Sequence, residues 1–180
     1  MLLFNPSTPS KIQQSFKKKT KLQVKIQFLC IGKENDADLK AAIQDFTIRI
    51  NRYFPSLWKI IPTLRNTASL SENELKLKEA DIILSSIKKE DYLVSLDERG
   101  KMLNSKTLAD FIQTRANASS KQLVFLIGGA YGLHQSVIQR SDFTWSLSPL
   151  TFPHQLVRVM MAEQIYRACT IIQNEKYHHE

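Results

Sequence analysis

His178 and His179 stand side by side just before the final Glu180, and they are the obvious candidates in this chain for moving a proton near neutral pH. An imidazole titrates close to that range, so it can take a proton from a weakly acidic group. A solvated end or a tag remnant is the competing reading, but a tag would be a longer run. His154 and Arg158, four residues apart, share one face of a helix if that segment is helical. His154 can open that helix, and Arg158 can meet a phosphate, a ligand carboxylate or a partner subunit. Arg167 and Glu163 have the spacing of a surface ion pair on the same helix. Acids and histidines do not cluster at ligand spacing, which disfavours a metal-dependent enzyme and leaves the metal set empty. Cys30 and Cys169 lack the spacing of a metal site or redox pair and read as small core residues.

Binding chemistry is concentrated in two other stretches. The apolar run Leu123 to Ile127 leads directly into Gly128-Gly129-Ala130-Tyr131-Gly132, which holds three of the chain's five glycines. Gly128 lets a backbone approach a ligand closely at a strand end. Neither G-x-G-x-x-G nor G-x-x-x-x-G-K-[ST] is present, so a dinucleotide or P-loop site is disfavoured. The second stretch is Leu147-Ser148-Pro149-Leu150-Thr151-Phe152-Pro153. Its backbone can serve the polar edge of a ring while Leu96, Leu147 and Leu150 sandwich the ring faces. The alternative is that Leu147, Leu150 and Phe152 are core and Pro153 only starts a helix.

The elements that must position these residues follow from periodicity. Strands are expected at Leu22–Ile31, Leu57–Ile61, Asp91–Asp97, Leu123–Ile127 and Phe143–Leu147. Helices are expected from Asp36 or Asp38 to about Tyr53, from a Ser71/Glu74 capping box to about Ile87, from Ser105 onward, around His134 to Arg140, and from His154. Arg99-Gly100 reads as the turn that ends the third strand. Strands alternating with helices predict an α/β fold, a mostly parallel sheet with helices on both faces. Ligands of such sheets bind beyond the carboxyl ends of strands, where Leu96, Gly128 and Leu147 to Phe152 all fall.

No apolar run approaches the roughly 18 residues of a membrane-spanning helix. Of the formal +8 charge, six units come from lysines within residues 1–25, which hold no acid, so residues 26–180 carry only +2. Global charge therefore does not argue for RNA binding by the folded part. Residues 1–21 read as a basic, poorly ordered extension ahead of one domain over residues 22–180. The arm resembles an organelle transit peptide in lacking acids but not in lacking arginine. A basic arm touching rRNA, or an inert upstream extension, are the other readings.

The segments Phe125 to Leu133, Leu147 to Val159, Ala162 to Ala168 and Tyr177 to Glu180, with Gly32-Lys33 and Leu96-Asp97-x-x-Gly100-Lys101, resemble the ribosomal RNA large-subunit methyltransferase H family. That family belongs to the SPOUT class of knotted methyltransferases. The resemblance covers residues 22–180 and implies a cytoplasmic homodimer whose sheet ends in a deep trefoil knot. It implies S-adenosylmethionine as cofactor and 23S rRNA in the assembled ribosome as partner, with methylation at N3 of a pseudouridine in helix 69. The cofactor contacts it implies are Leu96, Gly128, Leu147, Ser148, Pro149, Leu150, Thr151 and Phe152. The implied catalytic tail is Tyr177, His178 and His179, the last standing where some relatives have Arg, and His154 and Arg158 are the substrate-side candidates. Where the family commonly has Pro-Glu-Gly, this chain has Ala130-Tyr131-Gly132. A knotted RNA-binding module without catalysis is the alternative function.

Overall fold

A computed structural model describes residues 24–177, apart from residue 66 and residues 119 and 120. The basic arm, the expected strand start at Leu22, and His178 and His179 lie outside the described residues. Ten elements alternate: β1 (Lys25–Ile31), α1 (Ala37–Ile50), β2 (Ser56–Ile61), α2 (Glu72–Ser85), β3 (Tyr92–Met102), α3 (Ser105–Asn117), β4 (Gln122–Ile127), α4 (Gln135–Arg140), β5 (Phe143–Ser146) and α5 (His154–Ile172). The five strands form one sheet in the order β2-β1-β4-β3-β5, with every pair parallel.

The two most thoroughly buried strands, β1 and β4, lie side by side within the sheet, β1 with one polar residue, Gln27, in its run. In β1 every residue after Lys25 is buried, and in β4 every residue after Gln122. That is the position in which a parallel strand needs apolar side chains on both faces. Successive residues split between two cores, as the period of two requires. Phe28, Phe125 and Trp145 pack with Met161 and Ile165 of α5 on one face, and Leu29, Val124 and Leu126 pack with Ala80 and Ile83 of α2 on the other. Cys30 and Cys169 are fully buried, as small core residues would be. Burial pushes the Cys30 thiol up to about 11.

The capping box at Ser71 forms as expected, with Glu74 N–H donating to Ser71 Oγ at 3.3 Å and Ser71 N–H to Glu74 Oε2 at 2.8 Å. Asp36 occupies the cap position of α1 without a side-chain cap bond. Instead its N–H donates to Gln155 Oε1 at 2.8 Å, which joins the start of α1 to the start of α5. α3 starts at Ser105 as expected, and Asn104 caps it, its side chain accepting from Thr107 N–H. The largest departure is in β3, which does not end at Arg99-Gly100. Both Leu96 and Lys101 pair with Trp145, so residues 97–100 leave the ladder and the strand then resumes. Gly100 is needed at that bulge, because a Cβ there would lie 2.7 Å from the Thr144 carbonyl oxygen of β5.

Candidate active site

A cleft of about 510 Å³ opens beside the bulge of β3 and beyond the carboxyl ends of β4 and β5. Its walls are the β3 bulge (Leu96, Asp97, Arg99), the turn from Ile127 to Leu133, and the loop from Leu147 to Phe152, with His154 and Val157 of α5 behind. Leu96, Gly128, Leu147, Ser148, Leu150, Thr151 and Phe152 are thus brought together, while Pro149 of the same expected set does not line the cleft.

The local chain explains how the walls hold their shape. Ser146 Oγ donates to Ser148 O at 3.1 Å and Leu150 N–H donates to Ser148 Oγ at 3.0 Å, so the loop after β5 is folded on itself. The N–H groups of Thr151 and Phe152 bond to no described residue and remain available to a ligand. Gly132 takes the left-handed φ of +80° that closes the glycine turn, and its N–H donates to Gly129 O at 3.0 Å. A Cβ on Gly128 would meet the Leu133 side chain at 2.9 Å, so this glycine is required first by the turn's own packing. In the bulge, the Arg99 guanidinium grips Asp97 through two bonds of 2.8 Å and holds its carboxyl below the usual range.

His154 lines the cleft and is half-buried. Burial, with the nearby Arg158 charge second, lowers its pKa, so the imidazole is biased toward its neutral form. Arg158 is placed otherwise than as an RNA contact. It is 1% exposed, and its guanidinium donates to Lys33 O at 2.9 Å and Asn35 Oδ1 at 2.6 Å, with Ile31 O at 3.5 Å. The charge is spent on fastening the β1–α1 loop to α5, which corrects the expectation that it meets substrate.

Tyr177 lies away from the cleft of its own chain. Asn174 adopts a left-handed φ of +53° after α5, Tyr53 donates to the Glu175 carboxylate, and the chain folds back along the helix. Tyr177 then packs edge-on against Tyr166, with ring centres 4.8 Å apart, and its hydroxyl donates to Glu163 Oε1 at 3.3 Å. Glu163 also takes the expected ion pair from Arg167 at 2.6 Å. It borders a second hollow of about 440 Å³ with Phe46, Leu103, Val159 and Met160. Trp145 and Leu147 border both hollows, so the two adjoin.

Sequence reasoning missed the contribution of α2. Lys76 lines the cleft, and Glu79, one turn on, is 7% exposed with its carboxylate against Gly129. Burial raises its pKa. The only available signal was a charged residue beside Ala80 on the face that must pack.

Residues 24–178 match a family described as predicted SPOUT methyltransferase. A ribosomal RNA large subunit methyltransferase H of Christiangramia forsetii is 44% identical over 154 residues, covering 86% of this chain and 98% of that protein. Its counterpart in Parabacteroides distasonis is 40% identical over 157 residues, covering 87% and 100%. A solved structure titled a hypothetical protein superposes with a TM-score of 0.50 at 11% identity, over 87% of this chain and 71% of that one, a likeness of fold alone.

Proposed function

The chain belongs to the SPOUT methyltransferase family, and within it to the ribosomal RNA large-subunit methyltransferase H family, and from that premise we propose that it methylates N3 of a pseudouridine in helix 69 of 23S rRNA. It is a transferase, and S-adenosylmethionine is its methyl donor. The observation that carries the reading is the convergence of Leu96, the Gly128 turn and the 147–152 loop on one strand-end cleft. A hollow of about 510 Å³ suits a ligand of this size, and the unbonded N–H groups of Thr151 and Phe152 suit an adenine edge.

When bound, S-adenosylmethionine supplies a methyl group on a positively charged sulfur. The chain's own residues must do the rest. Leu96, Leu147 and Leu150 flank the adenine, and Gly128 passes along the ribose or methionine part. The attacking nitrogen has to arrive in line with water excluded, which is the work of a closing tail. His178 takes the N3 proton, Tyr177 positions the base, and His179 contacts rRNA. His154, neutral and half-buried, offers a hydrogen bond at the cleft wall.

The working unit is a homodimer. Tyr177 lies beside Glu163, roughly 13 Å along α5 from His154 at 1.5 Å per residue, so the tail is better placed to complete a partner's cleft than its own. The hollow at Val159, Met160 and Phe46 is the surface that such a partner would cover. The compartment is the cytoplasm, and among the described residues no helix is long and apolar enough to cross a membrane. The test is mass spectrometry of rRNA nucleosides from cells with and without this protein, joined to calorimetric titration with S-adenosylmethionine. Loss of one N3-methylated pseudouridine is expected. An unchanged nucleoside profile with no cofactor binding would leave a non-catalytic RNA-binding module.

A further inference from the structure

Glu79 is a buried acid that nothing in the fold answers. Its surface is 7% exposed, and it has no hydrogen bond or ion pair with any described residue. Its carboxylate oxygens keep a residual contact with solvent, and although Glu79 does not itself line the cleft, Gly129 and Lys76 beside it do, so a largely buried acid without a protein partner at that edge is open to a ligand that supplies the missing charge. Its surroundings are built to admit it. A Cβ on Gly129 would fall 2.6 Å from Glu79 Oε2 and 2.9 Å from Oε1, so the carboxylate occupies the slot left by the absent side chain. Gly129 is not among the glycines with a left-handed φ, so room, not backbone conformation, is what a glycine provides there. Gly129 itself lines the cleft, as does Lys76 one turn earlier on the same face of α2.

We infer that Glu79 is a cofactor-binding residue whose carboxylate receives the α-ammonium at the methionine end of S-adenosylmethionine. The inference rests on the reading that this cleft holds that cofactor. The ligand carries two positive centres, the sulfonium and the ammonium, against one carboxylate. The sulfonium must face the attacking nitrogen, which leaves the ammonium to be matched by the protein. The adenine is served by the 147–152 loop, and the glycine turn on the opposite wall borders the methionine part. Asp97 cannot take the role because Arg99 already holds it through two bonds of 2.8 Å, and Glu98 is exposed. A ribose hydroxyl could also reach an acid, but a neutral diol would leave the buried charge uncompensated.

The test titrates the full chain calorimetrically with S-adenosylmethionine and with 5′-methylthioadenosine, which keeps adenine and ribose but lacks the amino-acid end. Glu79→Gln is expected to weaken S-adenosylmethionine by about 10- to 100-fold and to leave methylthioadenosine within about two-fold. Gly129→Ala displaces only the flexible end of the Glu79 side chain, so it folds and weakens the first ligand similarly. In a Glu79→Ala background, where the slot is empty, Gly129→Ala is expected to have little further effect. Equal weakening of both ligands by Glu79→Gln would assign the acid to the ribose or to the turn and overturn the inference. Unchanged S-adenosylmethionine affinity in both single variants would overturn it as well. A wild-type chain that binds neither ligand would remove the cofactor reading beneath it.

Discussion

Glu79 and Arg158 are both charged and both almost wholly buried, and they differ in how many hydrogen bonds their charged groups make. Arg158 has three oxygen partners, whereas Glu79 has none among the described residues. Because burial raises the folded pKa of Glu79 above its unfolded value, the proton binds the native state more tightly. The associated stability is present below the ordinary carboxylate range and is lost as pH rises through the folded pKa. Glu79→Gln is therefore expected to gain stability on wild type as pH increases, with little difference at acid pH. Urea melts at several pH values read this directly, and a pH-independent difference would mean that the acid is not buried in its charged form. Gly128 carries a second prediction. A branched side chain there strikes Leu133 of its own turn before any ligand, so Gly128→Val should lose about 1–3 kcal/mol of stability as well as cofactor affinity. A folded Gly128→Val protein with undiminished S-adenosylmethionine binding would remove Gly128 from the cofactor wall.

At the scale of elements, α5 is held to the β1–α1 loop by the Arg158 guanidinium, and Gly32 leaves room for it, since a Cβ there would lie 2.8 Å from Arg158 Nη2. Arg158→Met should cost about 2–4 kcal/mol by stranding the Lys33 carbonyl and the Asn35 side chain, and should leave the salt dependence of RNA binding unchanged. A stable variant with a shallower salt slope would instead put Arg158 on a phosphate. The order of elements was legible because most strands contain a short apolar run and the helices between them carry apolar spacing or a start signal, Ser71 with Glu74 being the clearest. The two loops of the cleft were legible for a related reason: Gly128 and the Leu147–Pro153 run are out of place in any plain strand or helix. Arg158 was misread because its spacing from His154 gives a shared face and not a direction, and the guanidinium turns inward. The far half of β3 was hidden because Asp97 to Gly100 has the composition of a turn, while the ladder with β5 resumes beyond it. Glu79 was hidden among Lys76, Lys78 and Asp81, where local pattern reads every charge as solvated.

For the whole molecule, the decisive question is whose cleft the tail completes. Removal of residues 177–180 should leave S-adenosylmethionine affinity nearly intact and slow single-turnover methylation of ribosomes by about 10²-fold or more, since proton removal acts only in the transition state. Wild-type rates from that truncation would make the tail a solvated end. If the tail works across a dimer, mixing the truncated chain with a chain disabled at Gly128 should restore about a quarter of wild-type activity, because half of the dimers are mixed and each of those has one complete site. No restoration would keep each tail with its own cleft. The bond from Arg158 to Lys33 O spans 125 residues of sequence, and β1 pairs through Lys25 with Gln122 of β4. Synthesis proceeds from the N-terminus at about 5–20 residues per second, so the first loop waits roughly 6–25 s for the arginine that fastens it. Until β4 emerges β1 keeps an open edge, and throughout the interval no cofactor pocket exists to stabilise the growing chain. Each copy must therefore leave the ribosome entire before its cleft can hold a methyl donor.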